Sequence, residues 1–194
     1  MSYNFFTLAK IKNYPFIEGV KVCPLTTHRD SRGILVETLN QRWLKVFNKQ
    51  KLPFAQTYFS LTYPNVARDE DRWHYHPYKQ VDRFVVIQGE VIFALYDWRQ
   101  KSKTYGLLNL FRMGEINKDE GYYLLLIPVN VLHCFLVISQ RPAILLNYPT
   151  STYDPKEEGR LFFDQLKIKG KDYFSWQPFR ALFTHKKKIF KLNR

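Results

Sequence analysis

Between about residue 15 and residue 150, short apolar, β-branched and aromatic runs alternate with turn residues, the pattern of an all-β chain. Val20-Lys21-Val22 leads to a turn at Asp30-Ser31-Arg32-Gly33 and then to Ile34–Leu39. Ala55–Thr62 alternates cleanly, as a half-buried strand should. Arg83–Asp97 holds two strands with Gly89 at the turn between them. Tyr122–Ile127, closed by Pro128, Val131–Ile138 and Ala143–Asn147 predict further strands. Helix signals are confined to Gln41–Asn48, before Pro53, and to short pieces after Pro155. Repeats, low-complexity tracts and linkers are absent from the sequence, so the expectation is one domain over 1–194, a sandwich or barrel such as a double-sheet jelly roll.

Composition narrows the classes further. With 194 residues, 45% of them hydrophobic and 17% aromatic, the chain is neither disordered nor collagen-like, and it is long enough for a core without disulfide staples. Cys23 and Cys134 stand far apart, each in an apolar run. They read as small buried hydrophobes in a reducing compartment, and the expected location is cytoplasmic. No run reaches the ~18 apolar residues of a membrane span. The net charge of +13 is in part terminal, with five cations in Lys186–Arg194; the tail over about 185–194 reads as solvated. The rest of the excess is spread over strands and loops without a zinc finger, an Arg-rich helix or an aromatic ribonucleoprotein pattern. Neither nucleic acid nor membrane is expected as a partner, and an anionic small ligand uses such a field equally well.

Three histidines mark the chemistry. His74 and His76 flank Tyr75, so on a strand both face the same way, and His133 lies near the start of a later strand. A His-x-His facing a third histidine is a recognised metal-ligand pattern, with Gln80 or Asp82 available as an oxygen donor. His28 and His185 lack such companions.

An ordered series of motifs then carries a family resemblance. Asp30-Ser31-Arg32-Gly33 with Glu37, Phe54-Ala55-Gln56 with Ser60, His74-Tyr75, Gly89-Glu90-Val91, Asp97-Trp98-Arg99 with Ser102, Thr104 and Gly106, Ile127-Pro128 with His133, and Tyr153-Asp154-Pro155 with Glu158-Gly159 and Asp164 resemble the dTDP-4-dehydrorhamnose 3,5-epimerase family of cupins over about residues 17–168. The resemblance implies a cupin jelly-roll barrel with a few short peripheral helices. It implies a homodimer that binds a nucleotide-diphosphate sugar, dTDP-linked and 4-keto-6-deoxy, and uses neither a cofactor nor a metal. His74 then matches the catalytic base, Asp164 the carboxylate that orients it, and Tyr153 the acid on the opposite face of the sugar. Arg32, Glu37, Gln56, Arg72, His76, His133 and Arg83 are the expected substrate-binding residues, the first two reaching a partner subunit.

The departures from the family pattern are as specific. This chain reads Asp71-Arg72-Trp73-His74-Tyr75-His76 where the family reads Arg-Gly-Leu-His-Tyr-Gln, and about three residues are inserted before it. The family arginine therefore corresponds to Arg72 or Arg68. The family lysine near the enolate oxygen aligns with Asp82, a reversal of charge. The paired histidines are also similar to those of dTDP-sugar 3,4-ketoisomerases. Two further readings stay open: a metal-binding cupin using His74, His76, Gln80 and His133, and a sugar-nucleotide binder without turnover.

Overall fold

The apolar runs become strands in two stacked antiparallel sheets. The computed structural model describes residues 5–9, 15–116, 119–168 and 172–181; the basic tail lies outside them. In chain order the strands are β1 (Lys21–Pro24), β2 (Thr26–Asp30), β3 (Gly33–Glu37), β4 (Tyr58–Thr62), β5 (Ala67–Arg68), β6 (Arg72–Tyr75), β7 (Asp82–Gln88), β8 (Glu90–Tyr96) and β9 (Leu108–Gly114). They continue with β10 (Tyr123–Ile127), β11 (Leu132–Val137), β12 (Ala143–Asn147), β13 (Gly159–Phe162), β14 (Lys167–Ile168) and β15 (Asp172–Tyr173). One sheet runs β1-β10-β7-β12-β4 and the other β13-β6-β11-β8-β9, with β5 also on β11. The hairpin β2–β3 forms a small sheet of its own.

Alternation along the central strands explains why they read as nearly unbroken apolar runs. Between the sheets lie Phe84, Val86, Val91, Phe93, Leu95, Leu125, Phe135 and Leu145. The opposite face of β8 and β11, with Ile92, Ala94, Leu132 and Leu136, is covered by Phe163, Phe174, Trp176 and Phe179. The opposite face of β7 and β10, with Val85, Leu124 and Leu126, is covered by Val46 and by Leu39, Trp43 and Leu52. Each sheet thus has apolar residues on both faces, and the chain segments outside the sheets close two of the three layers.

Two expectations are corrected. Gln41–Asn48 forms successive turns and no helix. The amides of Val46 and Phe47 both bond the Trp43 carbonyl, and the next backbone bonds are exchanged between Asn48 and Leu52, so the chain reverses there instead of continuing as a helix. The strand β9 has no counterpart among the sequence expectations; its Asn109 and Arg112 interrupt the apolar pattern, and it forms by pairing along the whole of β8. The short helical pieces after Pro155 are 3₁₀ turns at Pro155–Glu157 and Phe163–Gln165 and a helical turn over 177–181.

Gly89 closes the β7–β8 turn at φ +74°, and a Cβ there would stand 2.8 Å from the Cα of Ala143 and 2.8 Å from Ser139 Oγ. Backbone strain and overpacking add, so Gly89→Ala is expected to cost about 2–4 kcal/mol in urea unfolding. A second local device is Asp97, wholly buried. It accepts from Arg99 Nε at 2.8 Å, Ser102 Oγ at 2.6 Å and Thr104 Oγ1 at 2.6 Å. Burial alone would raise its pKa, but the bonds from Arg99, Ser102 and Thr104 outweigh burial and hold it down at about 2. A depressed carboxylate stabilises the fold fully above its unfolded value of about 4, and that contribution is lost as pH falls through the folded value. Asp97→Asn should therefore lower stability at pH 7 and flatten the fall in stability between roughly pH 4 and pH 2; an unchanged acid profile would contradict this.

Candidate active site

A cavity of about 230 Å³ opens between the two sheets. One sheet supplies His74 from β6, His133 from β11 and Arg160 from β13; His74 is the direct cross-strand partner of both. The other sheet supplies Asp82 and Phe84 from β7, Leu145 from β12, and Tyr58 and Ser60 from β4. His76, just past the end of β6, joins them, and Arg68, Asp69 and Glu158 complete the polar lining.

The floor is a cluster of imidazoles around one carboxylate. His74 Nε2 lies 3.2 Å from His76 Nε2. Asp82 Oδ2 is 2.9 Å from His76 Nε2 and 3.6 Å from His133 Nε2. Asp82 Oδ1 accepts from Gln80 Nε2 at 3.0 Å and from Asn147 Nδ2 at 2.9 Å. His76 Nδ1 and His133 Nδ1 face the carbonyls of Glu157 and Val131, at 2.8 and 3.0 Å. A carbonyl only accepts, so both Nδ1 atoms carry hydrogen.

Burial and charge divide the protonation states. Burial, reinforced by His133 and His76, takes His74 down to about 2, so it is a neutral ring at pH 7. Burial likewise lowers His133 to about 4, against the pull of Asp82. For His76 burial is outweighed by the hydrogen bond and charge of Asp82, and its pKa is raised; Asp82 itself, despite complete burial, is held low by His76. The Tyr58 hydroxyl, bonded by Asn147 Nδ2 at 2.8 Å, is pushed up to about 12 by burial and by Asp82. It is a protonated phenol in the cavity.

The expected residues fall into two groups. His74, His76 and His133 come together as the spacing predicted. Of the two arginines offered for the family position, Arg68 lines the cavity; it donates to Thr62 Oγ1 at 3.1 Å. Arg72 instead pairs with Asp71 at 2.7 Å and lies over the Phe162 ring. Arg83 is corrected: strand alternation turns it away from Asp82, and its guanidinium is buried against loop carbonyls on the other side of the sheet. Asp164 is corrected as the partner of His74. It is exposed on a separate cleft lined by Glu70, Asp71 and Trp176, because Phe163 beside it turns into the outer core. The carboxylate near His74 Nδ1 is that of Glu158, at 3.8 Å. Tyr153 is 70% exposed and does not line the cavity. Arg32 and Glu37 sit on the β2–β3 hairpin, and Gln56 precedes β4; none of the three lines the cavity. Tyr58, Asp69 and Arg160 were missed, since each depends on pairings between strands distant in sequence.

A jelly-roll barrel with titratable groups from both sheets converging in its interior defines an enzyme-like cupin. The match to known proteins is more specific. The dTDP-4-dehydrorhamnose 3,5-epimerase family matches residues 16–182, and the chain belongs to that family. It is 37% identical over 147 residues to a probable low-salt glycan biosynthesis epimerase, Agl13, of Haloferax volcanii, covering 74% of this chain and 87% of that one. A dTDP sugar isomerase structure from Desulfovibrio desulfuricans superposes with a TM-score of 0.66 at 25% identity, covering 81% of this chain and 95% of the other. The Legionella pneumophila 3,5-epimerase, solved with dTDP-4-keto-L-rhamnose, gives 0.64 at 25% identity, covering 81% and 79%. The chain is thus an epimerase-type nucleotide-sugar isomerase by family.

Proposed function

We propose that this protein epimerises a dTDP-linked 4-keto-6-deoxy sugar by moving a proton on a carbon beside the ketone. The observation that carries the reading is the place of the His74 ring in the cavity between the sheets, with Arg68 and Arg160 lining the same cavity. Breaking a C–H bond next to a ketone needs a base, a positive or hydrogen-bonding group for the new enolate oxygen, and an acid on the other face. His74 is the base in this reading. Tyr58, on the cavity wall with its hydroxyl held by Asn147, takes the acid role in place of Tyr153, which does not line the cavity, and the guanidinium groups suit the diphosphate. The ligand of the Legionella relative has this chemistry.

Incubation with dTDP-4-keto-6-deoxyglucose in heavy water tests it. Deuterium at carbon 3, or at carbons 3 and 5, is expected; a folded protein that incorporates none does not have this activity. The close pairing of His74 and His76 favours a second reading, 3,4-ketoisomerisation, which a carbonyl at carbon 3 of the product would reveal.

The homodimer belongs to the same reading. Leu35 on the hairpin is 63% exposed, and Phe59 and Tyr63 on and beside the edge strand β4 are each 67% exposed, a surface that a second copy would cover. Arg32 and Glu37 would then reach the partner's cavity. Leu35→Asp is expected to shift the protein to monomer in light scattering and to weaken substrate binding; a monomeric wild type would overturn this. The free cysteines agree with a cytoplasmic setting. No helix of the described residues is long and apolar enough to cross a membrane.

A further inference from the structure

The cleft beside Asp164, about 340 Å³ in volume, joins an apolar floor to an acidic rim. Buried Phe174 and Trp176 and the exposed Phe162 ring form the floor. Glu70, Asp71 and Asp164 form the rim. Glu70 pairs with Arg180 and Asp71 with Arg72, whereas Asp164 meets no cation among the described residues. The Trp176 indole N–H is buried and bonds no acceptor among them either. An occupant that complements this cleft carries positive charge and apolar side chains together.

The sequence holds such a segment close by. Residues 182–194 contain Lys186, Lys187, Lys188, Lys191 and Arg194 and no acid, with Ile189, Phe190 and Leu192 set among the cations. Gln177 lines the cleft, and the helical turn over 177–181 leads from it directly into this segment. Its thirteen residues span up to about 43 Å when extended, ample length to fold back. A tethered segment meets its site at an effective concentration in the millimolar range, so individually weak surface contacts are enough to hold it.

We propose that the basic segment 182–194 of the same chain docks in this cleft, its apolar residues over Phe162 and Phe174 and its cations at Asp164 and the acidic rim. This replaces the solvated tail expected from its charge alone, and it gives Asp164 a partner other than His74. The walls of the cleft are also walls of the cavity. Glu70 and Asp71 follow directly on the cavity residues Arg68 and Asp69, and Phe162 shares its face of β13 with Arg160. The Phe163 amide donates to the Asp71 carbonyl at 2.9 Å, and Arg160 Nε donates to Asp69 at 3.1 Å. A segment seated across these two stretches steadies both cavity arginines. That consequence rests on the sugar-nucleotide reading; the docking itself does not.

Amide hydrogen exchange on the full chain, read by mass spectrometry of its peptides, tests the docking. Amides of 182–194 should exchange at least about tenfold more slowly than in a free peptide of the same sequence. Asp164→Lys on the cleft and Phe190→Ser on the segment should each reduce that protection to about threefold or less, with the exchange of the central strands unchanged as the control for folding. Wild-type protein whose segment exchanges like the free peptide overturns the proposal. Protection that survives both substitutions places the segment elsewhere and overturns it as well. Protection lost in the monomeric Leu35→Asp protein would assign the cleft to the segment of a second copy, against the single-chain docking. Affinity for dTDP should weaken about three- to tenfold in both variants. Unchanged affinity with lost protection would overturn the bracing of the arginines and leave the docking standing. Wild-type protein with a protected segment and no affinity for dTDP would remove the sugar-nucleotide reading, and the bracing with it, while the docking holds.

Discussion

His74→Ala is expected to abolish deuterium incorporation into the keto sugar, lowering the rate by roughly 10²–10⁴-fold, while binding of dTDP stays close to wild type. The expectation follows from position. The imidazole is the most open of the three at the cavity floor, and its location between Arg160 and His133 across the strands puts it next to the groups suited to hold the diphosphate and the reacting carbon. Removing it gives up the 3.2 Å contact with His76 Nε2 but leaves the bonds of His76 to Asp82 and Glu157 in place. A structural role predicts something different: weaker nucleotide binding and a lower Tm together, with the rate per bound substrate preserved. Measuring exchange and dTDP affinity on the same preparation separates the two. Tyr58→Phe should lose epimerised product while retaining exchange on one face, and Tyr153→Phe should leave both nearly unchanged. Exchange that survives in His74→Ala at more than about a tenth of wild type would remove His74 as the base.

How much of this could be read before the structure depends on whether a feature is local or assembled. His74 and His76 are two residues apart, and strand alternation alone places them on one face; the same alternation opposes Asp82 and Arg83. Turn residues such as Gly89 and Pro128 mark strand ends wherever backbone geometry demands them. Tyr153 precedes the Pro155 turn and Asp164 follows it, in a stretch whose direction is set by packing, and Phe163 entering the outer core carries Asp164 away from the histidines. Arg160 and Tyr58 reach the cavity through the pairings β13–β6 and β4–β12, which no local pattern encodes. The reversed charge at Asp82 was visible in the sequence, but its meaning was not. Only the fold shows that it meets two histidines and that both of its oxygens are engaged.

Arg83→Met is expected to destabilise the protein by roughly 3–5 kcal/mol and to lower Tm by about 6–20 °C for a domain of this size. Arg83 is wholly buried, and its guanidinium donates at 2.5 to 3.4 Å to the carbonyls of Tyr148, Val46, Leu52, Pro53 and Pro149. Two effects oppose each other in the substitution. Burial lowers the arginine pKa to about 10, against the pull of Asp82, so the charge is costly where it lies, and methionine would relieve that cost. The carbonyls left behind outweigh this relief, because each one that stays buried without a donor costs about 1–3 kcal/mol. They belong to the two segments, around 46–53 and 148–149, that this one side chain holds against the back of β7. Loosening them uncovers Val46, Val85 and Leu124 in the layer outside that sheet, which adds to the loss. Arg83→Lys should fall between wild type and Arg83→Met, because it keeps the charge with fewer and less directed donors. The protein that remains folded should still exchange deuterium, since nothing in the cavity is touched. A Tm within about 2 °C of wild type would mean that water takes over the carbonyls, and that the loops are held by Val46, Trp43 and Leu52 instead.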